Sequence, residues 1–299
     1  MLNRFFASLS AAVVFSLGAT PAFAFSDVFV FGDSLSDAGA FGHLFGGAFC
    51  PPAPNAGCRF SNGPTWAENV ATSLGNSADT VYAGTGGTNY AIGGERSDEL
   101  IGPGATADSA SGIGQIPLFS SDVGGVADPN ALYIIWAGGN NFLQNVPPGT
   151  YDPAASAADI VQSVTDLAAL GAENFLVANL PIDDPWAFTF NAALSGGLAT
   201  VSSGNPALDI LEFDTLSVLL GATLNPAAFG LTNVLDPCFD GVTVCANPDE
   251  YLLWDTVHPT ERGHEILADA ALAIIPEPST ALLIGGGLML LGTRRRSER

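Results

Sequence analysis

Three short apolar runs, each ending in a loop of polar and glycine residues, constrain the fold of this chain more than any other feature of its sequence. They are Asp27–Phe31 (DVFVF), Ala131–Ala137 (ALYIIWA) and Phe175–Asn179 (FLVAN), and Gly32 stops the first of them. Their β-branched and aromatic residues are typical of buried strands. Because the carboxyl ends of parallel strands meet at one edge of a sheet, the pattern predicts a parallel sheet whose loops gather at one edge.

Helical patterns alternate with these runs. The clearest begins with Asp152 as N-cap and Pro153 in the first turn, and it ends at Gly171. Its apolar face consists of Ile160, Val161, Val164, Leu167 and Ala168. Residues Pro64–Leu74 and Thr260–Ile274 show similar patterns. This alternation predicts an α/β fold, a three-layer α/β/α sandwich with a mainly parallel sheet.

The first 24 residues have the features of an export signal. Arg4 precedes an apolar run over Phe5–Leu17, and the stretch ends in the small-x-small site Ala22-Phe23-Ala24. The run is shorter than the roughly 20 residues that span a bilayer, which disfavours a membrane anchor. We therefore expect a signal peptide at 1–24 and a mature chain that begins near Phe25.

The other end, residues 276–299, has three parts in a fixed order. Pro276-Glu277-Pro278-Ser279 is followed by an apolar segment over Thr280–Gly292 and then by the arginines 294–296. Such a tail predicts a membrane stop with a cytoplasmic C-terminus. It resembles the PEP-CTERM sorting signal of Gram-negative bacteria. The resemblance implies transient anchoring through this helix, processing by an exosortase-type protease, and delivery to the cell envelope, cell surface or extracellular matrix. A permanent anchor is the alternative.

Between the two signals, residues 25–275 are long enough for one large α/β domain, which we expect to be the catalytic one. The chain has no lysine, and of its 30 acidic residues 28 lie in this range, against the three arginines Arg59, Arg96 and Arg262, a formal charge of −25. Such a surface repels phosphate backbones and anionic headgroups. Nucleic acid and anionic membranes are therefore not expected partners.

Four cysteines occur as two close pairs, Cys50 with Cys58 and Cys238 with Cys245. Since the chain carries an export signal, two local disulfides in loop segments are predicted. A zinc site is the alternative, but neither pair has C-x-x-C spacing and His43 is the only histidine near either pair, so no metal site is expected.

The run that follows the first strand contains a candidate nucleophile. Its sequence is Phe31-Gly32-Asp33-Ser34-Leu35-Ser36-Asp37. A serine at a strand-to-helix turn exposes its hydroxyl and presents its backbone amide to the same space, as nucleophilic catalysis requires. Taken alone, Gly-Asp-Ser-Leu fits a capped helix start equally well.

A candidate base for Ser34 lies far downstream, in the run Trp254–Thr260 (WDTVHPT). Asp255 precedes His258 by three residues in a loop ahead of a helix, so its carboxylate can accept from one ring nitrogen while the other faces the serine. The alternative is a helix cap with a solvated histidine. The remaining histidines, His43 and His264, lack such an acidic partner, and His264 is expected within the final helix.

Two glycine-bearing motifs lie between these ends, Asn89–Gly94 (NYAIGG) and Gly138–Asn141 (GGNN). The first belongs to a glycine-rich stretch, Ala83–Gly94, which together with Gly102–Gly114 is interpreted as loops around the active edge. A glycine amide and an asparagine side chain are neutral donors that can hold a developing oxyanion. Each motif alone is also ordinary turn chemistry.

The order of these four motifs resembles that of the GDSL/SGNH esterase and lipase family, particularly its bacterial branch of secreted phospholipase, lecithinase and hemolysin-like members. The likeness extends to Arg59–Trp66 (RFSNGPTW), Asn179-Leu180-Pro181 and Pro237-Cys238. It covers nearly all of the expected mature chain and implies the flavodoxin-like fold of SGNH hydrolases.

By resemblance, Ser34 is the nucleophile, His258 the general base and then acid, and Asp255 the carboxylate that orients it. The amides of Ser34 and Gly94 and the side chain of Asn140 would form the oxyanion hole. The reaction implied is hydrolysis of an ester through an acyl-enzyme, without a metal or other cofactor. The substrate could be a lipid, an aryl ester or an acetylated glycan.

Two departures from the family pattern bear on this assignment. Asn141 stands where the family usually has Asp, and Glu95-Arg96 follow the paired glycines where small residues are common. The first predicts weaker support for Asn140 and the second a reshaped pocket mouth. A catalytically degenerate surface or matrix protein that binds glycan is the competing hypothesis, but Ser34, Asp255 and His258 are all present, which favours an enzyme.

Overall fold

A parallel sheet forms the centre of the computed structural model, which describes residues 25–44, 54–102 and 113–276. The strands are β1 (Val28–Gly32), β2 (Leu132–Trp136), β3 (Asn174–Ala178) and β4 (Asp209–Phe213), hydrogen-bonded in that order. Gly32 pairs with Trp136, and Ala178 with Phe213, so the carboxyl ends of neighbouring strands lie level at one edge.

Helices connect the strands and cover the sheet. In the described residues they are α1 (Ala40–Leu44), α2 (Trp66–Ser73), α3 (Ser97–Ile101), α4 (Gln115–Asp122), α5 (Gly139–Leu143), α6 (Pro153–Leu170), α7 (Pro185–Gly204), α8 (Thr215–Leu224) and α9 (Glu261–Ile274). Short 3₁₀ turns lie at Val81–Ala83, Pro226–Phe229 and Pro248–Glu250. Asp152 caps α6 by accepting from the amide of Ala155, and Gly171 ends it in a left-handed conformation, as the sequence predicts.

The core lies on both faces of the sheet because successive strand residues point to opposite sides. Tyr133 and Ile135 of β2 belong to the cluster that contains the apolar faces of α6 and α7. Ile134 lies on the other side with Trp66 of α2 and Leu267 of α9. The predicted three-layer α/β/α sandwich is confirmed.

The structure adds one strand and one paired segment to the predicted sheet. β4 is an edge strand that lacks the apolar run of the other strands, since Asp209 and Glu212 interrupt it and are exposed. Residues 88–92, predicted as loop, are extended along β1: Tyr90 N donates to Val30 O at 2.7 Å and Ile92 N to Gly32 O at 3.1 Å. This extension carries the 89–94 motif to the carboxyl edge.

Cys238 and Cys245 form a disulfide with a Cα–Cα distance of 4.8 Å. Cys58 is also disulfide-bonded; its predicted partner Cys50 lies outside the described residues. The predicted signal peptide at 1–24 lies outside them as well, and of the predicted sorting signal at 276–299 only Pro276 is described. Over the ranges that the structure does describe, no helix has both the length and the apolar character needed to cross a membrane.

Candidate active site

Ser34 lies in the turn that follows β1 at the carboxyl edge of the sheet. The turn is tight because Gly32 packs against β2, where a Cβ would overlap the carbonyl oxygen of Trp136. The buried Gln115 side chain holds both backbone groups of Gly32: its Oε1 accepts from the amide at 2.8 Å and its Nε2 donates to the carbonyl at 2.7 Å. These contacts fix where the strand ends and hence where Ser34 begins its turn.

Asp37 joins the Ser34 turn to the glycine pair at 93–94. Its carboxylate accepts from the amides of Gly39 at 2.7 Å, Ala40 at 2.6 Å and Gly93 at 2.8 Å. The side chain is fully buried, and burial raises its pKa to about 6 against the lowering effect of these hydrogen bonds. Three backbone donors converge on one carboxylate, so the two loops keep a fixed spacing.

The three residues predicted as a triad are brought together. Ser34 Oγ lies 2.7 Å from His258 Nε2. On the other side of the ring, His258 Nδ1 lies 2.8 Å from Asp255 Oδ2 and 3.0 Å from Oδ1. We call this arrangement the Ser34–His258–Asp255 relay. Each distance lies within the range over which a base can take a proton from a hydroxyl and a carboxylate can orient the base.

The loop that carries Asp255 and His258 is held by its own backbone. Asp255 Oδ1 accepts from the amides of Val257 at 2.9 Å and His258 at 2.8 Å, and the Trp254 amide donates to the His258 carbonyl at 2.8 Å. Burial opposes ionisation of Asp255, but the hydrogen bonds and charge of His258, together with these amides, lower its pKa. The carboxylate is therefore ionised where it meets the ring.

Asn140 lies in the first turn of α5, beside the relay. Gly138 precedes this helix with a φ of 112°, and a Cβ there would press on the ring of Phe190. Asn140 Nδ2 donates to the carbonyl of Glu95 at 2.9 Å. Because an amide nitrogen carries two hydrogens, this bond leaves one N–H for another acceptor.

Gly94 is exposed, with a φ of 86°, and its carbonyl accepts from Gln144 Nε2 at 3.3 Å. It lies outside the residues that line the cavity at Ser34, whereas Asn140 is among them. The backbone amide of Ser34 has no acceptor among the described residues. Of the predicted oxyanion donors, the structure thus brings Ser34 and Asn140 to the cavity wall.

The departures from the family pattern are buried in the structure. Asn141 Oδ1 accepts from the amide of Ser97 at 2.9 Å, which ties α5 to α3. Glu95 Oε2 accepts from Gln115 Nε2 at 2.5 Å, and Arg96 pairs with Asp98 at 3.0 Å while lying over the ring of Tyr151. Glu95 and Arg96 therefore support the wall behind Asn140. They do not line the cavity whose mouth they were predicted to reshape.

A cavity of about 410 Å³ opens at the relay. Its polar wall includes Ser34, His258, Asn140 and two carboxylates, Asp33 and Asp183. Thr256 is a further polar lining residue, and the apolar side chains are Leu35, Phe142, Leu143, Leu180, Pro181, Ile182, Leu219, Leu253 and Val257. An apolar pocket with a few convergent polar groups is the usual form of a small-molecule site.

Asp33 adds a buried negative group next to Ser34. Its Oδ1 accepts from the amide of Leu35 at 3.1 Å. Burial raises its pKa to about 6, opposed by that hydrogen bond and by the charge of His258. No arginine lines the cavity, and each of the three arginines in the described residues pairs with an acidic side chain. In the same residues there is no group of three or more His, Cys, Asp or Glu suited to a metal ion.

Sequence reasoning missed Gln115, whose role depends on a contact with Gly32 83 residues away. In the sequence, Gln115 is marked only by its place at the start of a helix, α4. Reasoning from motifs found Ser34, Asp255 and His258 because the family pattern marks them directly.

Two models of known families match parts of the chain. A model of the GDSL-like lipase/acylhydrolase family matches residues 28–271. The chain belongs to this family. A second model, of the PEP-CTERM protein-sorting motif, matches residues 275–296.

Among the relatives of this GDSL-like chain is esterase EstA of Pseudomonas aeruginosa, 28% identical over 90% of this chain and 50% of its own length. An uncharacterized Pseudomonas putida protein is 29% identical over 85% of this chain and 49% of its own. A GDSL esterase/lipase of Arabidopsis thaliana, At1g71691, is 26% identical over 82% and 81%. The chain therefore spans about half the length of the bacterial relatives it matches.

Solved structures also align with this chain. An acetylxylan esterase of Geobacillus stearothermophilus, Axe2, aligns with a TM-score of 0.46 and 16% identity over 83% of this chain and 92% of that one. A lipolytic G-D-S-L protein of Veillonella parvula aligns with a TM-score of 0.45 and 16% identity over 83% and 97%.

Proposed function

We propose that this chain hydrolyses carboxylic esters through an acyl-enzyme formed on Ser34. The observation that carries the proposal is the Ser34–His258–Asp255 relay, with 2.7 Å between serine and ring and 2.8 Å between ring and carboxylate, at the wall of an apolar cavity. Membership of the GDSL-like lipase/acylhydrolase family supports the same reaction.

In the first half of the reaction, Ser34 Oγ attacks the ester carbonyl while His258 Nε2 takes the hydroxyl proton, and Asp255 stabilises the imidazolium. The tetrahedral oxyanion would accept from the Ser34 amide and Asn140 Nδ2, with Gly94 as the third donor suggested by family resemblance. Collapse expels the alcohol, which takes the proton from His258. Water then attacks the acyl carbonyl while His258 takes its proton. Collapse of this second intermediate releases the acid and returns the proton to Ser34 Oγ.

The cavity favours a neutral ester with an apolar acyl group. Its apolar lining contributes binding in proportion to the area it covers, and Leu143 and Val257 stay 51% and 46% exposed at its rim. Asp33 and Asp183 would repel an anionic substituent, and no cation lines the wall to offset them. The same repulsion would help to expel the carboxylate product.

The sorting motif indicates export in a Gram-negative bacterium and implies an exosortase-type partner. We further propose that the signal peptide at 1–24 directs export, that the 280–292 segment anchors the chain transiently, and that cleavage near Pro276 delivers the catalytic domain to the cell surface or extracellular matrix. Intact masses of the protein from hosts with and without the sorting protease would test this. Full-length chain in both hosts would contradict processing.

The function is tested with the purified protein and a graded series of p-nitrophenyl esters, run beside an acetylated sugar and a zwitterionic phospholipid. The account expects activity on neutral acyl esters, lower activity on a succinate half-ester of equal length, and loss of activity in Ser34→Ala by several orders of magnitude. Equal hydrolysis by the parent and Ser34→Ala would overturn it.

A further inference from the structure

The segment Arg59–Gly63 lies directly against the loop that carries His258, although about 200 residues separate them along the chain. The ring of Phe60 packs on the imidazole of His258, with 5.1 Å between ring centroids and 32° between ring planes. Phe60 is half-buried and does not line the cavity at Ser34. It therefore contacts the base of the relay without belonging to the surface that meets the substrate.

The two residues after Phe60 fasten the same loop. Ser61, which is buried, donates from Oγ to the carbonyl of Pro259 at 2.9 Å. The amide of Glu261 donates to Asn62 Oδ1 at 2.8 Å. Both contacts fall within three residues of His258, so the backbone that carries the imidazole is held in register with the backbone that carries Phe60.

The segment is itself anchored. Arg59 Nε donates to Glu68 Oε2 at 2.8 Å, and Glu68 completes the cap of α2 by accepting from the amide of Thr65 at 2.9 Å. Phe60 is thus mounted on an element that is tied both to α2 and to the His258 loop. A side chain mounted in this way has little freedom to move away from the ring it contacts.

We propose that Phe60 is a positioning residue for His258: it holds the imidazole in the plane that joins Ser34 to Asp255. The inference rests on the proposed function. Hydrogen bonds to Ser34 and Asp255 direct the two ring nitrogens, but small rotations about χ1 and χ2 of His258 can still misalign them. Contact with an aromatic face restricts this motion, and the ring's negative face attracts the imidazolium formed when the proton moves.

The experiment compares Phe60→Leu, Phe60→Met and Phe60→Tyr with the parent. Phe29→Leu is the matched control, because Phe29 is also half-buried and packs on two aromatic rings, Phe119 and Tyr133, but on β1 before the Ser34 turn. Two activities are measured: kcat and KM for p-nitrophenyl butyrate, and the second-order rate of covalent labelling of Ser34 by a fluorophosphonate. Melting temperatures are recorded for every variant.

Phe60→Leu and Phe60→Met should both lower kcat and the labelling rate by roughly tenfold, since small misplacements of a catalytic group are costly. KM should change less than kcat because Phe60 does not line the cavity. Phe60→Tyr, which keeps the ring, should restore most of the rate. Phe29→Leu should lower the melting temperature and leave kcat and labelling at the parent's values.

Parent rates of labelling and turnover in either folded non-aromatic variant would overturn the proposal, and so would a loss in Phe29→Leu equal to that in Phe60→Leu. If Phe60→Leu does not fold, Phe60→Met decides. Failure of the proposed function gives a different result: the parent itself would not be labelled at Ser34, whatever residue stands at 60.

Discussion

The Asn140 side chain has two N–H bonds, and in the described residues one of them donates to the carbonyl of Glu95 at 2.9 Å. That bond orients the amide so that the second hydrogen can face the cavity that Asn140 lines. We expect Asn140→Ala to lower kcat by roughly a hundredfold with a much smaller change in KM, because the donor acts mainly on the oxyanion of the transition state.

The matched control is Asn130→Ala, which removes an exposed asparagine amide beside Asp128, just before β2. It should keep the parent's kcat. Steady-state kinetics on one neutral aryl ester decide the matter, and an unchanged kcat in Asn140→Ala would remove this residue from the site.

At the residue scale, sequence reasoning names candidates only where a motif marks the chemistry in the chain. The three-residue spacing of Asp255 and His258 predicts that these two meet, and the family resemblance adds Ser34 to them. Gln115 and Phe60 could not be found in this way because a glutamine at a helix start and a phenylalanine in a loop are common. Only the folded chain shows that one holds Gly32 and the other lies on the imidazole.

Among the elements, the Cys238–Cys245 disulfide braces the segment that leads to Asp255. It closes a loop with a sequence separation of seven residues, and the amide of Cys238 donates to the carbonyl of Leu253 at 2.9 Å. Closing a loop of this length removes about 2–3 kcal/mol of unfolded-state entropy in the chain-entropy model. The double variant Cys238→Ala, Cys245→Ala should therefore melt roughly 5–10 °C below the parent in a domain of this size.

Its kcat at 25 °C should stay close to the parent's, because Ser61 and Asn62 hold the His258 loop from the other side. The melting temperatures of the parent and of the double variant are measured by calorimetry, with both proteins oxidised. An unchanged melting temperature would show that the bond adds no stability.

At the element scale, the sequence patterns missed β4, where burial is partial. β1, β2 and β3 have apolar runs because helices cover both of their faces, whereas β4 lies at an edge and carries the exposed Asp209 and Glu212. Residues 88–92 contain Asn89 and are followed by Gly93 and Gly94, which indicate a loop, yet their backbone pairs with β1. Tertiary pairing here outweighs local composition.

At the scale of the whole molecule, stability should depend on pH through buried groups of opposite sign. Burial, with a smaller effect from the charge of His258, lowers the pKa of His264 from its usual 6.5 to about 3, and its Nδ1 accepts from the amide of Trp66 at 3.2 Å. Between these values the unfolded chain takes up a proton that the folded chain does not. His264 therefore costs stability as pH falls below 6.5.

Asp33 and Asp37 act in the opposite direction. Burial raises their pKa values to about 6, so the folded chain takes up protons first, and both groups add stability as pH falls through 6. The effects of His264 and of the two aspartates on stability partly cancel, so the parent's free energy of unfolding should change little with pH. One variant can separate the two effects.

His264→Asn keeps an acceptor for the Trp66 amide but cannot be protonated. From about pH 7.5 to about pH 5, its free energy of unfolding should rise relative to the parent's by about 2 kcal/mol. The reason is that the unfolded variant has no His264 to protonate, so the variant does not lose stability in this way. Urea unfolding of both proteins at the two pH values tests this. Parallel pH dependence would mean that His264 is not held neutral in the folded chain.

The most direct test of the account is to identify the residue that carries the acyl group during turnover. The purified protein is mixed with a p-nitrophenyl ester, quenched in acid within the first turnover and digested for peptide mass analysis. The account predicts an acyl mass on the peptide that contains Ser34 in the parent, with its rate of formation matching the release of p-nitrophenol, and none in Ser34→Ala. An acyl group on another residue, or full turnover by Ser34→Ala, would contradict it.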